Sequence, residues 1–326
     1  MNITSPPARS LHLLGYGLVA AMVAGCAILP MFPSPGTTYA MSLILQILLF
    51  VYLAQAWNIA GGFAGLFSLG HSAFFGLGAY SYGVGVAKYG LDPVLCFAIG
   101  VVLAALLGAL TAIISTRLSG MFFAMVTLGL NEILLNLASQ MNWLTNGDAG
   151  TYLRKQFTMT PATAYYVFLG LCIAIFIVAA LVRHSKLGTM CIAVKENEAF
   201  ARALGVRPAL WKTGAVVISA IATAIGGGFF AMYQGIVMPS MVFTFSVSIK
   251  MLIVAMIGGV GTIWGPLAGS FLVLFDELVR ASLGSTFGGV SLIAYGVILI
   301  CSALFLPKGI MEAIRKATLN RSAGRG

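Results

Sequence analysis

Apolar residues along this chain are grouped into about ten runs, separated by short polar segments. A run of about 20 apolar residues is long enough for an α-helix to cross the hydrocarbon core of a bilayer. The sequence therefore predicts an all-α fold, a polytopic membrane protein of about ten transmembrane helices. The runs are 10–29, 40–59, 71–88, 93–115, 119–140, 162–182, 212–234, 246–263, 265–283 and 288–306, each bounded to within several residues.

The composition agrees with this pattern. Of the 326 residues, 60% are hydrophobic and 8% are charged, whereas a soluble domain carries about 25% charged residues. Lipid is therefore the expected solvent, and we expect residues 1–326 to form a single transmembrane domain. Polar sequence is concentrated in an interior loop at 183–212 and in a tail at 307–326, and a further polar loop rich in turn residues is predicted at 142–157.

Lysine and arginine cluster beside the apolar runs, and the net charge is +10. Loops rich in these residues stay on the cytoplasmic side of a membrane, which predicts a cytoplasmic loop and a cytoplasmic tail. Four runs separate loop and tail, so the two assignments agree, and counting back six runs places the N-terminus inside as well. The basic residues lie on no soluble module, so the lipid bilayer, and not nucleic acid, is the expected partner. They are Arg183, Lys186, Lys195, Arg202, Arg207 and Lys212 in the loop and Lys308, Arg315, Lys316, Arg321 and Arg325 in the tail.

Two glycine-rich stretches, 58–80 and 256–269, interrupt the apolar runs. Glycine clusters can unwind a helical turn, and paired broken segments often line the substrate site of a transporter. Tight helix packing alone is the alternative. The candidate translocation pathway comprises Gly61, Gly62, Gly65, Ser68, His71, Phe74, Phe75, Gly258, Gly259, Gly261, Trp264 and Pro266, together with Glu132, an ionisable residue within the fifth run.

Several of these residues have a simpler structural interpretation. The ring of His71 would then bond a neighbouring backbone carbonyl, and Phe74 and Phe75 would only fill the core. The five cysteines are scattered singly, without a CxxC pair, so we expect no metal site.

The 183–212 loop contains the signals of a short helix. Asn197 is a helix-capping residue, and Glu198 at the first position is favoured by the helix dipole. Gly205 suits the left-handed position after the helix. Phe200, Ala203 and Leu204 form one apolar edge, and Lys195, Glu198 and Arg202 are expected to form a charged one. Such a short helix is unstable alone, so it must pack on its own domain or on a partner.

Three motifs in this order resemble a known family. The loop reads "KENE" (Lys195–Glu198) followed by "ALG" (Ala203–Gly205), and the glycine stretches read "GGFAGLFSLGHSAFFGLGAY" from Gly61 and "GGVGTIWGPLAG" from Gly258. They are similar to the signatures of ATP-binding-cassette importer permeases, in particular the branched-chain amino acid permease family and its LivM branch. Together they extend over about residues 58–269.

This resemblance implies a transport subunit, not an enzyme, of the bacterial inner membrane. Its solutes would be branched-chain or other hydrophobic amino acids. The implied partners are two cytoplasmic ATPases, a second permease of the LivH type and an extracytoplasmic substrate-binding protein. The residues implied to contact the ATPase are Lys195, Glu196, Asn197, Glu198, Phe200, Ala203, Leu204 and Gly205.

Two alternatives remain open from the sequence. One is a related permease for urea or an amide, and the other is a self-sufficient secondary transporter or channel. The second would need intramembrane ion ligands, and Glu132 is the one residue that qualifies. No GxxxxGK[ST] phosphate loop occurs in the chain, so we expect it to hold no cofactor, with ATP bound by the partners.

Overall fold

The computed structural model describes residues 35–115, 120–275, 297 and 309–310, and most of them belong to an α-helical bundle. Two two-residue strands and several single turns connect the helices. The elements are α1 (Pro35–Asn58), a π-helical turn (Ile59–Phe63), α2 (His71–Tyr89), α3 (Pro93–Ser115), α4 (Met121–Gln140), α5 (Asn142–Thr145), β1 (Thr151–Tyr152), α6 (Pro161–His184), α7 (Lys186–Glu196), α8 (Glu198–Ala203), α9 (Pro208–Gln234), β2 (Ile236–Val237), α10 (Pro239–Val242), α11 (Phe245–Gly259) and α12 (Gly265–Gly269).

Six stretches among the described residues are long and apolar enough to cross a membrane, which confirms an all-α polytopic membrane protein. They are Ala40–Phe63, Pro93–Ile114, Met121–Gln140, Lys155–His184, Pro208–Gln234 and Pro239–Gly259. The expected count of ten is not confirmed. The predicted runs 10–29 and 288–306 lie outside the described residues, apart from residue 297, and 265–283 is described only as far as 275.

Helix α2 lies at the centre of the bundle, packed between α9 and α3. Fourteen of its nineteen residues are buried. A Cβ atom on Gly78 would lie 1.9 Å from the carbonyl oxygen of Ala224, and one on Gly227 would lie 2.0 Å from that of Phe75. Glycine is therefore required on both helices because their backbones touch.

At one end of the bundle, the segment between α4 and α6 is more ordered than the polar loop that the sequence predicts for 142–157. It contains α5 and β1, and β1 pairs antiparallel with β2, with Thr151 opposite Val237. Helix α6 then begins at Pro161, where the Thr160 side chain accepts a hydrogen bond from the Thr163 N–H at 3.2 Å.

At the other end, the 183–212 loop is shorter and more helical than predicted. Helix α6 continues to His184 and α9 begins at Pro208, so only residues 185–207 connect them. Helix α7 was not predicted from the sequence; the Ser185 side chain caps it by accepting a hydrogen bond from the Gly188 N–H. Gly188 is needed there, because a Cβ would lie 2.2 Å from the Val182 carbonyl oxygen.

Candidate functional site

Helix α8 forms where the sequence predicts a short helix. The Asn197 side chain accepts a hydrogen bond from the Phe200 N–H at 3.0 Å, as an N-terminal cap does. Gly205 ends the helix with φ +83°, in the left-handed region that favours glycine. The predicted N-terminal cap and the predicted C-terminal glycine are therefore confirmed. The helix between them, α8, has six residues.

The apolar edge of α8 has no cover from the rest of the described chain. Phe200 is 64% exposed and Leu204 is 69% exposed, and Ala203 is exposed beside them. Only Ala201 of this helix is buried. Of the two possibilities, packing on its own domain and packing on a partner, the geometry leaves this edge open for a partner.

The polar edge of α8 is fixed to the bundle through Glu198. One carboxylate oxygen lies 2.5 Å from Arg202 Nη2 and the other lies 2.7 Å from Lys212 Nζ. Partial burial alone would raise the pKa of Glu198, but the hydrogen bonds and charges of Lys212 and Arg202 outweigh it, so this pKa is lowered. The predicted Glu198–Arg202 pair is confirmed, and Lys212 on α9 is a partner that the sequence did not reveal.

Lys195 is not on that edge, so its predicted place beside Glu198 and Arg202 was wrong. It ends α7 together with the exposed Glu196. Its ammonium group donates to the Gly62 carbonyl oxygen at 2.9 Å, because the last turn of α7 faces the glycine-rich segment after α1.

That segment, residues 59–70, is called here the first break. It begins as the π-helical turn containing Gly61 and Gly62, all of whose residues are buried. A Cβ on Gly61 would lie 2.3 Å from the Trp57 ring. Gly65 has φ +72°, and the Ser68 carbonyl accepts a hydrogen bond from Trp57 Nε1 at 2.9 Å. The predicted unwinding is therefore confirmed.

The second break is residues 260–264, between α11 and α12. A Cβ on Gly258 would lie 1.7 Å from the Gly265 carbonyl oxygen, and Gly259 and Gly261 have φ +127° and +79°. Trp264 stacks on Phe176 with ring centroids 5.5 Å apart. Pro266 occupies the start of α12, where its missing N–H is not needed. These glycines serve close packing, while their predicted role in a pathway is not tested by these contacts.

His71, the first residue of α2, is 1% exposed. Its Nε2 lies 2.8 Å from Ser219 Oγ, which itself donates to the Ala56 carbonyl oxygen at 2.6 Å. Since the serine has one hydrogen to give, His71 Nε2 is the donor and Nδ1 is left as an acceptor. That Nδ1 has no partner among the described residues. The ring therefore bonds a hydroxyl, not directly a backbone carbonyl as expected.

The two phenylalanines that follow His71 pack in the core, as their structural interpretation predicts. Phe74 packs edge-on against the His71 ring at 5.4 Å, and Phe75 packs against Phe230 at 5.2 Å. Both are 2% exposed.

A buried polar network next to His71 was missed. Ser72 Oγ donates to Asn131 Oδ1 at 2.7 Å and lies 2.8 Å from Ser248 Oγ, while Asn131 Nδ2 donates to the Phe243 carbonyl oxygen at 2.6 Å. The network joins α2, α4 and α11. The sequence signal would have been three small polar residues in apolar runs.

Glu132, the neighbouring residue, is half-buried. It lines an open cavity of 320 Å³ on α4 together with Asn136 and Gln140. Within the described residues, no three His, Cys, Asp or Glu side chains converge where a metal ion would bind. The fully buried residue here is Asn131, one position before the one that the sequence analysis selected.

Two larger cavities have mainly apolar walls. One of 580 Å³ lies along α1 and α6 and includes Trp264. The other, of 390 Å³, lies between α2, α3 and α4 and includes Tyr80 and Phe243. Their linings offer few polar atoms, which suits lipid chains or apolar solutes and is unsuited to hydrolytic chemistry.

The fold and this site define a multi-pass α-helical membrane protein with two glycine-rich helix breaks and a capped, partly uncovered helix α8. A family model described as "Branched-chain amino acid transport system / permease component" matches residues 39–303, and the chain belongs to this family. The resemblance drawn from the motifs is thereby confirmed, and the chain is a transport subunit, not an enzyme.

Two relatives carry the name "High-affinity branched-chain amino acid transport system permease protein LivM". The one from Escherichia coli (strain K12) is 29% identical over 341 residues, which cover 95% of this chain and 78% of the relative. The one from Salmonella typhimurium (strain LT2) is 28% identical over 299 residues, which cover 82% of this chain and 69% of the relative. No solved structure matches the chain significantly.

Proposed function

We propose that this chain is the membrane-embedded permease of an importer driven by ATP hydrolysis in partner subunits, and that α8 is its contact with one of those ATPases. The protein would lie in the bacterial inner membrane, with the α7–α8 connection and both termini on the cytoplasmic side. The basic residues of that connection support this orientation.

The observation that carries the proposal is the uncovered apolar edge of a helix held rigidly in place. Phe200 and Leu204 are largely exposed, while Asn197 caps the helix and Lys212 holds Glu198 at 2.7 Å. An amphipathic helix presented in this way fits an apolar groove on a partner protein. Because Glu198 of α8 is paired with Lys212 of α9, a displacement of α8 would be transmitted to the helical bundle.

The remaining partners follow from the family. We propose that two cytoplasmic ATPases, a second permease of the LivH type and an extracytoplasmic substrate-binding protein complete the importer. ATP would bind to the ATPases, and this chain would need no cofactor of its own. Closure of the ATPases would move α8 and switch the bundle between outward- and inward-facing states.

The proposed solutes are branched-chain or other hydrophobic amino acids, as the names of the two relatives suggest. Urea or an amide remains the alternative within the same family. The residues proposed for the pathway are those of the two breaks together with His71 and Glu132, and the solute class would be decided by ligand screening on the binding protein.

Uptake of radiolabelled leucine into proteoliposomes tests the function. The assembled importer should accumulate leucine only with ATP and with both ATPases present. Accumulation by the permeases alone would contradict the proposal and favour a secondary transporter.

The role of α8 is tested by replacing Phe200 and Leu204 with alanine together. Truncating central apolar anchors of an interface costs about 2 kcal/mol or more, so the ATPase should no longer co-purify although the permease still enters the membrane. Tyr152→Ala is the matched control, because Tyr152 is 67% exposed at the other end of the bundle. Normal co-purification of the double variant would rule out α8 as the contact.

A further inference from the structure

The two breaks lie about 200 positions apart in the sequence and contact each other directly. Asn58 Oδ1 accepts a hydrogen bond from the Gly261 N–H at 2.8 Å, and Asn58 Nδ2 donates to the Thr262 carbonyl oxygen at 2.8 Å. A Cβ on Gly62 would lie 2.7 Å from the Gly261 nitrogen. The breaks therefore form one junction, with the side chain of Asn58 as its link.

Two cations from outside the junction bind its backbone. Lys195 Nζ donates to the Gly62 carbonyl oxygen at 2.9 Å, across 133 positions of sequence. Arg183 Nη1 donates to the Gly261 carbonyl oxygen at 2.9 Å, across 78 positions. Each break thus receives one cationic donor, Arg183 from the last turn of α6 and Lys195 from the last turn of α7.

The side chains of both cations are also guided by packing. The stem of Lys195 crosses Gly65, where an added Cβ would lie 2.9 Å from Lys195 Cγ. The Arg183 guanidinium lies 5.6 Å from the centroid of the Phe63 ring, a favourable cation–π distance. Each cation therefore has a packing contact with the first break in addition to its hydrogen bond.

These bonds are possible because the breaks expose carbonyl oxygens that a regular helix would use internally. Hydrogen bonds from a charged donor are roughly twice as strong as neutral ones. In the part of the chain that the structure describes, neither cation has a carboxylate within salt-bridge distance, since both ion pairs found there involve Glu198. The backbone of the junction is therefore what holds them.

The same connection carries α8. Asn197 both ends α7 and caps α8, so Lys195 lies two residues before the cap of α8. Arg183 lies in the last turn of α6, two residues before Ser185, the cap of α7. The two cations thus lie on either side of α7: Arg183, three residues before its start, bonds the second break, and Lys195, in its last turn, bonds the first.

We propose that Lys195 and Arg183 are positioning residues that make α7 and the two breaks move as one body. The proposal rests on the function proposed above, in which α8 receives the movement of the ATPase. Displacement of α8 then reaches the breaks through these two bonds, so that ATP hydrolysis opens or closes the membrane segments that Gly62 and Gly261 interrupt. Docking of the ATPase does not need the two bonds, but coupling does.

The test compares hydrolysis with transport in the complete importer. Lys195→Met keeps the long apolar stem but has no donor. Coupling residues remote from both ligands alter coupling by up to about tenfold or somewhat more, so leucine imported per ATP hydrolysed should fall about tenfold. Arg183→Met should act in the same direction, and the two changes together should lower the ratio by less than the product of the single effects, because both act through one junction.

Two matched variants make the result specific. Lys186→Met removes an exposed lysine at the start of the same helix and should leave the ratio unchanged. Lys195→Arg restores a cationic donor and should bring the ratio back to within about threefold of the original, since guanidinium also donates to carbonyl oxygens.

Three outcomes would overturn the proposal. If Lys195→Met left the number of leucines imported per ATP unchanged, the bond between Lys195 and Gly62 would have no role in coupling. Loss of ATPase co-purification equal to that of the Phe200 and Leu204 double variant would make Lys195 a docking residue. Failure of Lys195→Met to accumulate in membranes, when Lys186→Met accumulates, would make it a folding residue. A different result would contradict the proposed function itself: leucine uptake by the permeases without the ATPases.

Discussion

Helices α3 and α8 both expose apolar side chains, but they do so for different solvents. Leu106 on α3 and Phe200 on α8 are each 64% exposed. Helix α3 has 23 residues, none of them charged, so its exposed face suits lipid. Helix α8 has six residues with Glu198 and Arg202 beside the apolar edge, so it is too short and too polar to span a bilayer, and we propose that its apolar edge contacts a protein.

The exposed fraction alone therefore does not identify a contact site in a membrane protein. The length of the helix and the charges around the apolar residues decide which solvent meets them.

The same substitution should have opposite consequences in the two helices. Leu106→Asp places a carboxylate near the middle of a spanning helix, at a cost of about 3 kcal/mol for insertion, so the chain should fail to accumulate in membranes. Leu204→Asp should leave insertion intact and abolish co-purification of the ATPase. Membrane fractionation and affinity purification of both variants check this. Equal membrane levels of the two variants would contradict the assignment of lipid to Leu106 and of a protein partner to Leu204.

Gly205→Ala should destabilise the C-terminal end of α8 through backbone strain at position 205, without any steric clash. An added Cβ meets nothing within 4 Å, but φ is +83°, and this conformation costs a non-glycine residue about 1 kcal/mol. The ATPase should bind several-fold more weakly in a titration. Gly129→Ala is the control, because Gly129 on α4 also has open space around its Cβ and an ordinary helical backbone, and a loss of affinity there would contradict the explanation.

Asn197→Ala should have a similar or smaller effect, because losing a capping side chain costs about 1 kcal/mol. Asn197→Asp should bind as the original does, since aspartate also caps. Hydrogen exchange of the Phe200 amide measures the cap directly, and it should accelerate in the alanine variant only.

The ion pairs of Glu198 should make a small, pH-dependent contribution to the stability of α8. Its pKa is lowered in the folded protein, so the stabilisation is complete above its usual pKa of about 4.3 and is lost as pH falls through the lowered value. The protection of α8 from hydrogen exchange, after correction for intrinsic rates, should therefore be constant between pH 8 and 5. Glu198→Gln should reduce this protection by about 1 kcal/mol or less, because the pair with Arg202 is exposed and the amide oxygen of glutamine can still accept a hydrogen bond from the Lys212 ammonium group. A steep loss of protection near pH 6 in the original chain would contradict this assignment.

Local signals in the sequence were sufficient for α8 and for most spanning helices. Asn197, Gly205 and the Glu198–Arg202 spacing act within a few residues of each other, so their roles can be deduced from position. The predicted run 93–115 matches α3 because an uninterrupted apolar stretch starts at Pro93. The unwinding at the two breaks was also predictable from their glycine content.

The contacts that join distant segments could not be deduced in this way. Lys195 was assigned to a charged edge because local spacing was the only guide, whereas its partner Gly62 lies 133 positions away. Glu132 was selected because it is ionisable, but the buried polar network uses Asn131 instead. Burial and partner choice in these cases are properties of the packed bundle.

Site-specific crosslinking tests whether α8 contacts an ATPase subunit. A photo-reactive phenylalanine analogue in place of Leu204, in the assembled importer, should join this chain to an ATPase subunit on illumination, and the same analogue in place of Tyr152 should not. An ATPase adduct from position 152 but none from position 204 would contradict the account, because α8 would then lie away from the subunit that is proposed to drive it.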